Sequence, residues 1–296
     1  MVEKTTPAYW IDNAADAYES VDNDNKVITI ATAAQLAKLA KDIKDNDTGA
    51  GGTSTFEYLG YTFQLTADID LGGKIWTPIG ADLASPYYCT FRGTFDGNNH
   101  TISNMNAVHN EYAGLFGPLH SGYQLPIIIK DLTIKDFVVE SNHFAGGIAA
   151  WFNRGGDLMS ITNCSVIYGT ITSSPEWLGT EWDNGDKVGG ICGYVYDGNQ
   201  LLTIKSNTVS NVNITAYRDF GGLIGAASGL EVTENTISDV NLYQNNTHAY
   251  KSDDITTYDA VVGKKIANSK ECNIHENTVA NVKKYSGTPG AYTEVQ

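Results

Sequence analysis

Apolar residues in this chain come in short runs rich in Val, Ile and Thr, separated by Gly, Asn, Asp and Ser, and two arrangements recur. The first reads apolar-x-x-Ω-x-apolar, with Leu, Met, Cys or Asn at Ω. It occurs as Ile102-Met105-Ala107, Ile129-Leu132-Ile134, Ile161-Cys164-Val166, Ile204-Asn207-Val209, Val232-Asn235-Ile237 and Ile274-Asn277-Val279. The second is a glycine pair or near-pair in an apolar run: Ala113-Gly114-Leu115-Phe116-Gly117, Ala145-Gly146-Gly147-Ile148-Ala149, Val188-Gly189-Gly190-Ile191-Cys192-Gly193, Gly221-Gly222-Leu223-Ile224-Gly225 and a decayed Val261-Val262-Gly263. Starts at 102, 129, 161, 204, 232 and 274 lie 27, 32, 43, 28 and 42 residues apart, within the range of stacked repeats. Units of 27–28 residues set the minimum, and the longer ones carry insertions.

No unit has a helical face, so each is a turn of strands whose apolar side is buried only by stacking on the next. The predicted fold is all-β: a right-handed parallel β-helix, with strands pairing in parallel between successive units. Asn207, Asn235 and Asn277 fall at one register, where their amides can hydrogen-bond along the stack; three separate turn residues is the plainer alternative. The glycines serve either a positive φ or a close approach of two backbones.

Ahead of the repeats, residues 27–30 predict a strand, and Thr32-Ala33-Ala34-Gln35 is a capping box opening a helix over 33–45. Leu36, Leu39, Ala40 and Ile43 follow the helical period, and Lys41 and Lys44 sit toward the negative end of the dipole. A single amphipathic helix here reads as a lid over the open edge of the first unit. From Tyr61 to Leu71, Phe63, Leu65, Ala67, Ile69 and Leu71 alternate with polar residues, as in a strand buried on one face. The predicted division is an N-terminal segment 1–25, one domain over 26–282 and a C-terminal tail 283–296.

Three stretches in order, Leu65 to Leu71, Trp76-Thr77-Pro78-Ile79-Gly80 and Phe91 to Asn104, resemble the leading coils of GLUG-repeat proteins. Ala113-Gly114-Leu115-Phe116-Gly117 is similar to the motif that names them. The resemblance covers roughly 26–282. It implies a secreted or cell-surface bacterial β-helix, often adhesin-like, and relatives that accompany immunoglobulin A peptidase domains. The decayed box at Val261 departs from the pattern.

The 34 acidic residues against 19 Lys and Arg give a net charge of −15, which disfavours nucleic-acid or anionic-membrane partners, since both need clustered positive charge. No apolar run is long enough to span a membrane, and no secretory signal is present, so Met1 reads as the start of a trimmed piece of an exported protein. Cys89, Cys164, Cys192 and Cys272 form no C-x-x-C pair, which argues against structural zinc. Cys164 and Cys192 sit at core positions of the repeat.

Catalytic chemistry finds little support. There is no His-Glu-x-x-His; His275-Glu276 continues as Asn277-Thr278-Val279. A polysaccharide lyase needs cations beside a base, and no arginine recurs at a repeat register near paired acids. A glycoside hydrolase needs two facing carboxylates. Asp68 and Asp70 share an outward face about 7 Å apart, and Asp253-Asp254 are neighbours in an insertion, but solvated or turn-capping acids is the plainer reading. Asp22, Asp24 and Asn25 are followed by Lys26 rather than the glycine of an EF-hand loop, so no metal or cofactor is predicted.

The insertions carry the strongest signal. The unit from 161 to 204 holds Ser173 to Asp186, a polar loop containing Trp177 and Trp182 beside Glu176, Glu181 and Asp183, with Tyr194 and Tyr196 close by in sequence. Rings flanked by acids suit a sugar, though such rings also pack on the flank of a solenoid. The unit from 232 to 274 adds Tyr243, His248, Tyr250 and Tyr258. The candidate ligand residues are Trp177, Trp182, Glu181, Asp183, Tyr196 and Tyr250, with no catalytic residue. The expected role is a secreted or surface-displayed, non-catalytic recognition module for a glycan or host surface protein. A carbohydrate-active β-helix enzyme (lyase or glycoside hydrolase) and a structural spacer in a larger surface protein are the alternatives.

Overall fold

The computed structural model describes residues 9–46, 56–81, 91–120, 125–153, 159–174, 186–196, 202–245, 257–266 and 271–295. Among these the chain is all-β apart from one α-helix, α1 (Ala33–Asp45), and a short 3-10 turn at Ile11–Asn13. The strands form four largely parallel sheets, of nine, eleven, five and five strands. The chain visits them in a fixed order. One unit places Ile127–Lys130 in the nine-stranded sheet, Thr133–Ser141 in the eleven-stranded sheet, then Phe144–Gly146 and Ala149–Asn153 in the two five-stranded sheets. The next unit repeats the order with Met159–Thr162, Ser165–Ser173, Lys187–Gly189 and Cys192–Tyr196. Each strand pairs in parallel with its counterpart one unit on, as in Ile129↔Ile161, Val139↔Ile171, Ala145↔Val188 and Ala149↔Cys192.

Two bends per unit use left-handed residues that are not glycine. Asp131, Asn163, Ser206, Glu234 and Glu276 have φ between 54° and 59°, and so, within a few degrees, do residues five positions later: Asp136, Tyr168, Asn211, Asp239 and Asn281. Such a conformation costs about 1–2 kcal/mol for an L-residue, and its repetition at one register shows that the stack imposes it. Most bends are followed by an inward side chain (Gly169, against the Phe137 ring, is the exception), so the apolar-x-x-Ω-x-apolar pattern recurs at both bends of a unit. That corrects the first repeat. Ile102 pairs with Ile134, whereas Phe95 pairs with Ile129, so Met105 occupies the second bend beside Phe137 rather than the Ω slot beside Leu132.

The Ω slot itself points inward. Leu132, Cys164, Asn207 and Asn235 are each 1% exposed. The Cys164 N–H donates to Asn207 Oδ1 (2.9 Å), the Asn207 N–H to Asn235 Oδ1 (2.9 Å) and the Asn235 N–H to Asn277 Oδ1 (3.0 Å). The asparagines form a ladder and not three separate turns. The glycine boxes are settled in the same way: Gly147 and Gly190 do not have positive φ, but a Cβ on Gly147 would lie 2.6 Å from Val166 Cγ1 and 2.7 Å from the Gly190 carbonyl. Close backbone approach is what they provide.

In α1, the Thr32 hydroxyl accepts from the Gln35 N–H and Gln35 Oε1 accepts from the Thr32 N–H. Leu36, Ala37, Leu39, Ala40 and Ile43 are buried in the same core as Ile28, Ile30, Phe63 and Leu65, as a lid over the first strands requires. The alternating stretch after Tyr61 is two strands, Thr62–Leu65 and Ile69–Asp70, because the chain turns from one sheet to another between them. The N-terminal segment is not separate: Ser20–Asp22 pairs antiparallel with Val27–Ile30, and the Trp10 indole donates to the Leu71 carbonyl. The tail expected at 283–296 also belongs to the fold. Lys283–Thr288 pairs in parallel with the long strand Thr236–Asn245, and Gly290 at φ 85° reverses the chain into the antiparallel strand Ala291–Val295.

Candidate functional site

Of the predicted ligand residues, Trp177, Glu181, Trp182, Asp183 and Tyr250 lie outside the described residues, and Tyr196 lies within them. The roots of both insertions are described. The first leaves the eleven-stranded sheet at Ser173 and returns into a five-stranded sheet at Lys187; the second leaves at Asn245 and returns at Thr257. Register aligns these exits, through Thr172↔Thr215 and Thr215↔Tyr243, with one uninserted unit between them. Both insertions therefore spring from the same corner of the stack, about 10 Å apart by strand spacing.

Beside that corner stands an aromatic cluster separate from the main core. Tyr112, Phe144 and Trp151 are buried together, with Tyr194 packed against them. They meet because the glycine box folds each third strand sharply back onto the fourth, bringing Phe144 and Trp151 to 5.8 Å between ring centroids. Trp151 lies nearly parallel to both Tyr112 (5.8 Å, 11°) and Tyr194 (6.2 Å, 8°), each one unit away. Tyr196 continues the row 6.1 Å from Tyr194 and, like it, stays half-exposed. The Lys187 ammonium sits 5.3 Å from the Phe144 ring centroid and 5.0 Å from that of Tyr194. Burial lowers the Lys187 pKa to about 8 against the opposing pull of Asp219, and burial raises Tyr194 to about 12.

The acids next to Lys187 are structural. Asp186 is fully buried and accepts from the Tyr217 N–H (2.6 Å) and the Arg218 N–H (2.8 Å), which ties the returning insertion to the next unit. Burial raises its pKa to about 6 despite those bonds. Asp219 is equally buried, with Lys264 Nζ 3.2 Å from its carboxylate. Neither is placed as an exposed acid or base. Asp68 and Asp70 likewise serve turns: Asp68 accepts from the Thr101 N–H, and Asp70 from the Gly72 N–H and Asn104 Nδ2. These bonds hold both carboxyls below their usual range. Asp22 accepts from the backbone and side chain of Asn25. Among the described residues no group of three or more His, Cys, Asp and Glu is arranged for a metal ion. Cys164 and Cys192 are buried free thiols, their pKa pushed up to about 12 by burial; Cys89 lies outside the described residues.

Sequence reasoning singled out Tyr194 and Tyr196 but missed Tyr112, Phe144 and Lys187. Their signal was present: each stands immediately before the small-residue box of its unit, at one register along the sheet.

No protein-family model and no curated protein matches the sequence. Among solved structures, the chain is similar to one from Bacteroides ovatus described as a "putative immunoglobulin A1 protease", with a TM-score of 0.51 and 17% identity over 94% of this chain and 82% of that one. At this identity the likeness bears on fold alone.

Proposed function

We propose that the protein is a right-handed parallel β-helix of the GLUG-repeat kind, secreted or displayed at a cell surface, which recognises a glycan or a host surface protein without catalysis. The observation that supports this most is the corner where both insertions are rooted, beside a row of rings whose half-exposed end is Tyr194 and Tyr196. Half-exposed ring faces of this kind suit a sugar or an aromatic-rich protein surface. Recognition is favoured over hydrolysis because Asp186 and Asp219, the acids that adjoin Lys187, are fully buried and committed to backbone and lysine partners. The name carried by the similar Bacteroides structure stays with that protein, because a likeness at 17% identity bears on fold alone. A glycan array probed with the full chain, followed by Tyr196→Ala, Trp177→Ala and Trp182→Ala, tests the reading. Each substitution should weaken binding by about 1–3 kcal/mol if the residue is an anchor, with melting almost unchanged. Lost stability with binding retained would mean that these rings only pack the flank.

A further inference from the structure

The outer face of the eleven-stranded sheet changes character along the stack. One register row reads Asn106, Val138, Thr170, Asn213, Asn241, Lys283 in successive units. Val and Thr suit a strand; Asn and Lys are depleted there and weaken it. Three consecutive C-terminal units nevertheless pair a left-handed bend residue with a polar residue two positions on, as Asn211 with Asn213, Asp239 with Asn241, and Asn281 with Lys283. Together with Tyr285 these six line one shallow polar groove.

The hydrogen bonds within the groove leave both ends of its amide array unused. Asn241 Nδ2 donates to Asn213 Oδ1 (2.9 Å), and Asn281 Nδ2 donates to Asp239 Oδ1 (2.5 Å). Among the described residues, nothing in the protein accepts from Asn213 Nδ2, donates to Asn241 Oδ1 or pairs with Lys283 Nζ. Asn213, Asp239, Asn281 and Lys283 are exposed. The groove thus alternates donors and acceptors at the spacing of neighbouring strands, about 4.8 Å. At its C-terminal end the Tyr285 ring is held against Tyr243, with centroids 4.7 Å apart and planes 16° from parallel.

We infer that this groove is a second binding site, for a neutral, hydroxyl-rich saccharide chain lying along the stack axis. Hydroxyl groups donate and accept at once, so a run of them satisfies an array that offers both; a carboxylate would suit Lys283 Nζ and Asn213 Nδ2 but would also face the acceptors Asp239 and Asn241 Oδ1. The net charge of −15 also repels acidic polymers. Tyr285 supplies a ring face for one sugar. The inference deepens the proposed glycan recognition and rests on it.

Amide-detected NMR of the full chain, titrated with neutral gluco-, manno-, galacto- and xylo-oligosaccharides and with galacturonan oligosaccharides, tests it. The expected result is a shift of the Asn213 and Asn241 side-chain amides and of Tyr285 with a neutral sugar. Asn241→Ala and Tyr285→Ala should each lower that affinity by about tenfold or more, without moving the melting temperature by more than a degree or two. Binding that shifts only Tyr194 and Tyr196, and is indifferent to Asn241→Ala, overturns the groove while the recognition reading stands. Preference for the galacturonan overturns the neutral class. Silence with every oligosaccharide removes glycan recognition and the groove together.

Discussion

Asn207 and Asn213 belong to one unit and Asn235 and Asn241 to the next, six residues apart in each case, yet the two ladders they form do opposite things. In the inner ladder every amide atom is engaged. Asn235 Oδ1 accepts from both the N–H and the Nδ2 of Asn207, while Asn235 Nδ2 donates to the Ile204 carbonyl (2.9 Å), the Thr233 carbonyl (3.0 Å) and Asn277 Oδ1 (2.9 Å). In the outer ladder a single bond joins Asn241 to Asn213. The same side chain at the same spacing is a structural tie when buried and fully paired, and leaves donors and acceptors open when it lies on the outer face and is half-paired. Burial makes the difference because an unpaired amide costs far more inside than at the surface, where water replaces the lost partner.

The contrast between interior and exterior can be broken most severely at the helix. Leu39 is fully buried in the common core, so Leu39→Asp places an unpartnered charge there and should cost about 4–5 kcal/mol, or unfold the chain outright. Leu36→Asp should behave alike. If both variants stayed monomeric with unchanged melting, α1 would not be part of the core.

Within the inner ladder the expected losses are graded. Asn235→Leu takes the acceptor from the Asn207 N–H and the side-chain donor from the Ile204 and Thr233 carbonyls, while Asn207 Nδ2 keeps the Ile161 carbonyl and Asn277 Oδ1 keeps the backbone N–H of residue 235; chemical denaturation should show a loss of about 1–3 kcal/mol. Asn207→Leu should cost less, because the unit before it meets the ladder with Cys164, which offers only its backbone N–H. A larger loss at 207 than at 235 would show that the rungs are not coupled in this order.

A buried group that can carry charge differs again from a buried amide. Burial raises the Asp186 pKa from 3.8 to about 6, so between those values the folded chain holds a proton that the unfolded chain releases. Its contribution to stability is fully present below about pH 3.8 and is lost as pH rises through about 6. Asp186→Asn should therefore flatten the fall of melting temperature between about pH 4 and pH 7. An unchanged slope would mean that Asp186 is already ionised at the lower pH.

Much of the interior was legible in the sequence because it repeats. The Ω slot, the glycine boxes and the Thr32–Gln35 capping box are local patterns with a direct physical cause, and they appear where spacing placed them. Register was harder. Two bends per unit impose the same apolar-x-x-Ω-x-apolar pattern five residues apart, so the first repeat was assigned to the wrong strand, with Met105 misplaced beside Leu132. The left-handed bend residues were illegible because Asp, Asn, Ser, Glu and Tyr alternate there and no glycine marks the turn. The exterior was least legible. Phe144 and Trp151 touch only after a glycine fold reverses the chain, and Asn213 meets Asn241 only because the two share a register on neighbouring strands.

The measurement that tests this division most directly is a parallel denaturation of Asn235→Leu and Asn241→Leu, the two being six residues apart in one unit. Asn235→Leu should lose about 1–3 kcal/mol, and Asn241→Leu should stay within about 0.5 kcal/mol of the parent. Equal losses, or a larger loss at Asn241, would contradict the claim that the inner ladder holds the stack and the outer one is free to bind.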